Sequence, residues 1–207
     1  MRLALPKSIQ ESQRYLSWVF PILLGFGISS LPATNWYGTI ALSIGLVVVV
    51  TGWLSFGIIP EKAYNDVLFI VDLSLLATYW LVLYYSRSIS AHNGSADSTV
   101  FNLSGVIFLL YAIWDVTALA GRDTAALATA QHLQRFIVIC LGFSIAFFAL
   151  GGLTQITRER AWLMENPSTG LRLLGLGIWC TILVSWHVGR MRAATKDAHE
   201  DEGLGAQ

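Results

Sequence analysis

The fold class predicted from the sequence is all-α: a polytopic integral membrane protein whose six transmembrane helices pack as a bundle. Three observations carry it. Hydrophobic residues make up 55% of the 207 residues and charged residues only 13%, whereas about a quarter of a soluble domain is charged. Six apolar stretches of roughly bilayer-spanning length fill most of the chain, at about 16–31, 38–59, 66–86, 100–120, 134–155 and 170–189. Between them stand Pro, Gly, Asn and charged residues, which end helices and mark turns. What remains is too short for a separate soluble domain, so one membrane domain is expected. The formal net charge is +0, which gives no field to attract nucleic acid.

The elements follow in order. Residues 1–15 mix Leu3, Leu5 and Ile9 with Lys7, Glu11 and Arg14, a pattern suited to a short helix in the headgroup region. Arg2 and Lys7 precede an apolar run with small residues at its end, as in a signal peptide. Pro21 interrupts that run and five more spans follow, so an uncleaved first helix is expected. Span one ends at the Pro32-Ala33-Thr34-Asn35 turn, and the uncharged connection predicts a tight antiparallel hairpin with span two. This layout, with a Leu-Pro turn after the first of six short spans, resembles small bacterial membrane families such as the acid-resistance HdeD proteins. The likeness covers the first hairpin and identifies no family.

Span three, DVLFIVDLSLLATYWLVLYY, is followed by SRSISAHNGSADST, whose composition predicts an exposed loop. Span four is FNLSGVIFLLYAIWDVTALAG. The alanine-rich segment after it, RDTAALATAQHLQR, predicts a helical extension of span five. Span six is LRLLGLGIWCTILVSWHVG, and the acidic stretch 191–207 is expected to be a disordered tail. Cys140 and Cys180 lie in separate spans and read as small core residues.

Basic residues set the expected orientation. One side collects nine, Arg2, Lys7, Arg14, Lys62, Arg122, Arg135, Arg190, Arg192 and Lys196; the other collects four, Arg87, Arg158, Arg160 and Arg172. Both termini are therefore expected in the cytoplasm, in a bacterial inner membrane.

Ionisable groups inside spans mark the candidate site. On span three Asn65, Asp72 and Tyr79 recur every seven residues and share a helix face; on span four Ser104, Phe108, Tyr111 and Asp115 do so at i, i+4, i+7 and i+11. An ionised carboxylate at such depth needs a partner, a proton or a wet cavity. Asp72 lies about six residues into span three and Asp115 about five from the end of the antiparallel span four, so both belong to the cytoplasmic half. Arg135 and His132 open span five and His187 closes span six in the same half. One reading is a path for protons, a small cation or a small solute. Its rival is a non-conducting subunit in which Arg135 pairs with Asp72 or Asp115 to fix helix register. A third, weaker reading has His132 and His187 ligating a haem; interfacial histidines are the plainer interpretation, so no cofactor is expected.

The strips Gly142, Ala146, Ala149 on span five and Gly177, Thr181, Ser185 on span six predict packing faces, including faces between copies of the chain in a homo-oligomer. Phosphate-binding glycine loops, Ser-His-Asp sets, Cys-His metal clusters and dinucleotide fingerprints are absent from the sequence, so no enzymatic role is expected. The expected partners are the lipid bilayer and a small ion or solute.

Overall fold

The computed structural model describes residues 7–34, 36–56, 66–88, 95–120, 127–161, 175, 177–179, 181–182, 184–186 and 188–189. Five long α-helices follow one another: α1 (Lys7–Ser30), α2 (Trp36–Phe56), α3 (Asp66–Arg87), α4 (Ser95–Ala120) and α5 (Leu127–Ala161). The described residues of an apolar segment at Gly177–Trp186 are helical too. Among the described residues, α3, α4 and α5 are long and apolar enough to cross a membrane. The apolar parts of the first two helices, Leu16–Ser30 and Gly38–Val50, are shorter.

The first helix differs from expectation. A headgroup helix and a separate span were predicted, yet α1 runs unbroken from Lys7 through Pro21 to Ser30. Proline removes one backbone donor, and a helix tolerates this where neighbouring turns hold the chain. The end of α1 is closed locally. Ser29 and Ser30 donate to the Phe26 carbonyl at 2.9 and 2.8 Å, and a 3-10 turn over Leu31–Ala33 carries the chain round. The Thr34 hydroxyl donates to the Leu31 carbonyl at 2.9 Å and shares a 2.8 Å hydrogen bond with Thr39, tying the turn to the first residues of α2.

A second difference lies before span four. The polar stretch expected to end as an exposed loop is helical from Ser95, and Ala96, Asp97 and Ser98 are buried. An acid in the first turn offsets the partial positive charge of a helix N-terminus, and Ser98 finds an acceptor on α5. Polar composition therefore marked a helix start here.

Helices α1, α2 and α3 pack on one another, while α4 packs on α3 and most extensively on α5. The α4–α5 seam is built from small residues and hydroxyls. Ser144 donates to the Gly105 carbonyl at 2.9 Å, and Ser98 donates to the Gly151 carbonyl at 2.8 Å. A β-carbon at Gly105 would lie 3.2 Å from the Phe148 ring, so the helices meet there at van der Waals limit. In contrast, Gly142, Ala146 and Ala149 are exposed, as are Gly177, Thr181 and Ser185. Neither strip packs helices together among the described residues.

An aromatic core joins α4 and α5 to the Gly177–Trp186 segment. The Phe108 ring lies 5.2 Å from Phe143, 5.6 Å from Phe147, 5.8 Å from Trp186 and 6.1 Å from Tyr111. Such edge and offset contacts add to packing in a medium where burial from water gives helices little reason to associate. At the end of α3, the Arg87 guanidinium sits over the rings of Phe26 and Tyr84, at 5.9 and 5.5 Å.

Candidate functional site

Hydroxyls in an apolar span ordinarily satisfy themselves on their own helix, and most of those here do. Ser43, Ser74, Thr78, Ser104 and Thr117 each donate to the carbonyl four residues back, at 2.7 to 2.9 Å. Such groups do not by themselves mark a site. A smaller set behaves differently, and it lies between α3 and α4.

Tyr79 of α3 and Tyr111 of α4 share a hydrogen bond through their hydroxyls, and both side chains are buried. Tyr79 is held from behind by α2. A β-carbon at Gly52 would meet the Tyr79 hydroxyl and ring at 2.5 to 3.1 Å, so only glycine leaves room for that ring. Phe20 of α1 packs against Tyr79 at 6.2 Å and against Trp53 at 6.5 Å. On the other side Trp186 lies 6.2 Å from Tyr111. The tyrosine pair is thereby held by groups from three directions.

The two acids flank that pair on one side. Asp72 and Asp115 are 3% and 2% exposed, a depth of burial that carboxylates rarely reach without a functional or structural reason. Because α3 and α4 run antiparallel across the tyrosine pair, Asp72 lies about 10 Å and Asp115 about 6 Å along the helix axes from it, in the same direction. Both acids engage in further interactions within the structure, so neither stands as an isolated charge.

Arg135 stands apart from them. Register across the α4–α5 seam, set by Ser144 on Gly105 and Ser98 on Gly151, puts Arg135 level with Asp115. Its side chain is nevertheless exposed. Nine residues at about 100° each turn it to the face opposite Ser144, away from α4. The structure therefore does not bring Arg135 to either carboxylate. Asn65 and His187 lie outside the described residues, and His132 is placed in α5 by its backbone alone. The haem reading falls on those same two histidines. Among the described residues no group of three or more His, Cys, Asp or Glu could hold a metal ion. Cys140 is buried and in no disulfide among the described residues, while Cys180 lies outside them.

Three further residues come from α2, α3 and α4. Asp97 and Ser86 are buried, at 4% and 0% exposure, and Gly52 makes room for Tyr79. A seven-residue step onward from Tyr79 leads to Ser86, and one back from Ser104 leads to Asp97, so continuing each stripe along its helix finds both. No protein-family model, curated protein or solved structure matches this chain.

Proposed function

We propose that this chain is a small six-helix integral membrane transporter or channel that moves protons, a small cation or a small solute through the polar site between α3 and α4. The observation that carries the reading is the burial of Asp72 and Asp115 on the helices that bear the hydrogen-bonded Tyr79–Tyr111 pair, inside spans built mainly of apolar side chains. Ionisable groups are costly at membrane depth and persist there chiefly for ion or proton movement. The rival reading pairs the acids with Arg135, and the exposure of that side chain favours the transport reading. The remaining apolar stretches complete the six spans.

The full chain, purified and reconstituted into liposomes holding a pH-sensitive dye or a K⁺ or Na⁺ indicator, is expected to give protein-dependent flux of at least one of these cargoes or of a small solute. Flux no greater than in protein-free liposomes for every cargo tried overturns the reading.

The asymmetry of basic residues supports cytoplasmic termini, with the α3–α4 link outside. In intact cells an impermeant thiol reagent, used on variants lacking Cys140 and Cys180, is expected to modify Ala91→Cys and leave Ala206→Cys untouched. Modification of Ala206→Cys alone reverses the orientation.

A further inference from the structure

The buried polar groups of α3 and α4 do not stop at the two acids in one half of the bundle. On α3 Asp72, Tyr79 and Ser86 recur every seven residues; on α4 Asp97, Ser104 and Tyr111 recur at the same step, and all six are buried. Seven residues amount to nearly two full turns, so each set lies on one helix face. The helices run in opposite directions and the hydrogen bond between Tyr79 and Tyr111 fixes their level. Ser86 and Ser104 then fall at one level, about 10 Å beyond the tyrosines, and Asp97 about 21 Å beyond them. Asp72 and Asp115 lie on the other side. From Asp72 to Asp97 the column covers about 30 Å, the thickness of the hydrocarbon core of a bilayer.

One member is unsatisfied. Ser86 is 0% exposed, and its hydroxyl makes no hydrogen bond among the described residues. It faces Gly45 of α2, where a β-carbon would lie 3.7 Å from its oxygen. A buried orphan hydroxyl calls for an explanation, and in a native protein that is commonly a water or a transient partner. Ser104 donates to the Val100 carbonyl at 2.9 Å, which leaves its oxygen able to accept.

We propose that this column is a proton path across the whole membrane, with Asp72 and Asp115 as its terminal groups on one side and Asp97 on the other. The proposal rests on the transport reading above and narrows its cargo to the proton. A hydrated cation has to part Tyr79 from Tyr111 while Tyr79 is pressed against Gly52, whereas a proton passes with no displacement of heavy atoms. Each hydroxyl along the column accepts a proton on its oxygen, forming one O–H bond, and releases its own proton to the next acceptor, breaking one. Water bridges the intervals between the tyrosines, the serines and Asp97. No group is changed in the end: one proton leaves the water on one side and one enters the water on the other, driven by the gradient.

The test uses the full chain in liposomes, with a valinomycin-clamped K⁺ potential and an internal pH dye, and parallel vesicles reporting Na⁺ and K⁺ entry. Wild type is expected to move protons and neither cation. Asp97→Asn and the double variant Tyr79→Phe/Tyr111→Phe are each expected to lower proton flux about 10²-fold, the loss usual when a proton-transferring side chain is removed. Asp97→Glu, which keeps the carboxyl group, is expected to retain most of it, as is Asp66→Asn at an exposed position. If Asp97→Asn does not fold, the tyrosine double variant, which keeps both rings, decides alone. Proton flux lowered by Asp72→Asn but unchanged in Asp97→Asn, or in the tyrosine pair, overturns the column and leaves the transport reading standing. So does Na⁺ or K⁺ flux without proton flux. Absence of any cargo flux in wild type overturns both.

Discussion

Gly151→Leu is expected to destabilise the protein by about 2 to 5 kcal/mol, combining overpacking with the stranding of a buried hydroxyl. At Gly151 the two backbones meet: a β-carbon would lie 3.2 Å from the Ser98 carbonyl oxygen and closer still to the Asn102 side chain. The Ser98 carbonyl is fixed in its helix and cannot swing aside, so α4 and α5 have to part. Parting them breaks the 2.8 Å bond from the Ser98 hydroxyl to the Gly151 carbonyl. The neighbouring glycine supplies the control, because a β-carbon at Gly152 meets nothing within 4 Å. Thermal unfolding in detergent is expected to shift downward by several degrees for Gly151→Leu and little for Gly152→Leu. Equal midpoints for the two variants contradict the seam as described.

The bounds of α3 were legible because an apolar run of that length begins after one polar turn and ends before another; the helix covers Asp66–Arg87 against an expected 66–86. Periodicity also placed Asp72 with Tyr79, and Tyr111 with Asp115, on common faces, since seven- and four-residue steps fix direction on any helix. The face that α5 turns to the bundle was not legible. That helix is apolar all round, and such a helix gives no amphipathic signal. Gly142, Ala146 and Ala149 therefore looked as much like a packing strip as Cys140, Ser144, Phe147 and Gly151, which are the buried ones. Depth for Arg135 could be counted along the chain, but its direction around the helix depended on knowing that Ser144 faces α4.

Asp97 was hidden for a different reason. Ser, Asn, Gly and Asp in sequence ordinarily mean a loop, yet the same residues also start helices. Its seven-residue spacing from Ser104 was a signal that composition alone outweighed.

Asp72→Asn and Asp115→Asn are each expected to lower transport about 10²-fold, as removal of a proton-transferring group does. Folding is expected to survive. Asparagine matches aspartate in size and keeps an acceptor oxygen, and Arg135, whose side chain is exposed, is not left as a stranded buried charge. Under the register-fixing reading, in which the acids pair with Arg135, removing either would cost about 3 to 5 kcal/mol. Stability and transport therefore separate the two readings.

The most direct measurement takes both on the same preparations: proton, Na⁺ and K⁺ flux in liposomes, together with the unfolding midpoint in detergent, for wild type and for Asp72→Asn/Asp115→Asn at matched protein content. The expected result is a wild-type midpoint with flux reduced to the level of protein-free liposomes. A folded double variant that carries the wild-type flux contradicts a transport role for the buried acids.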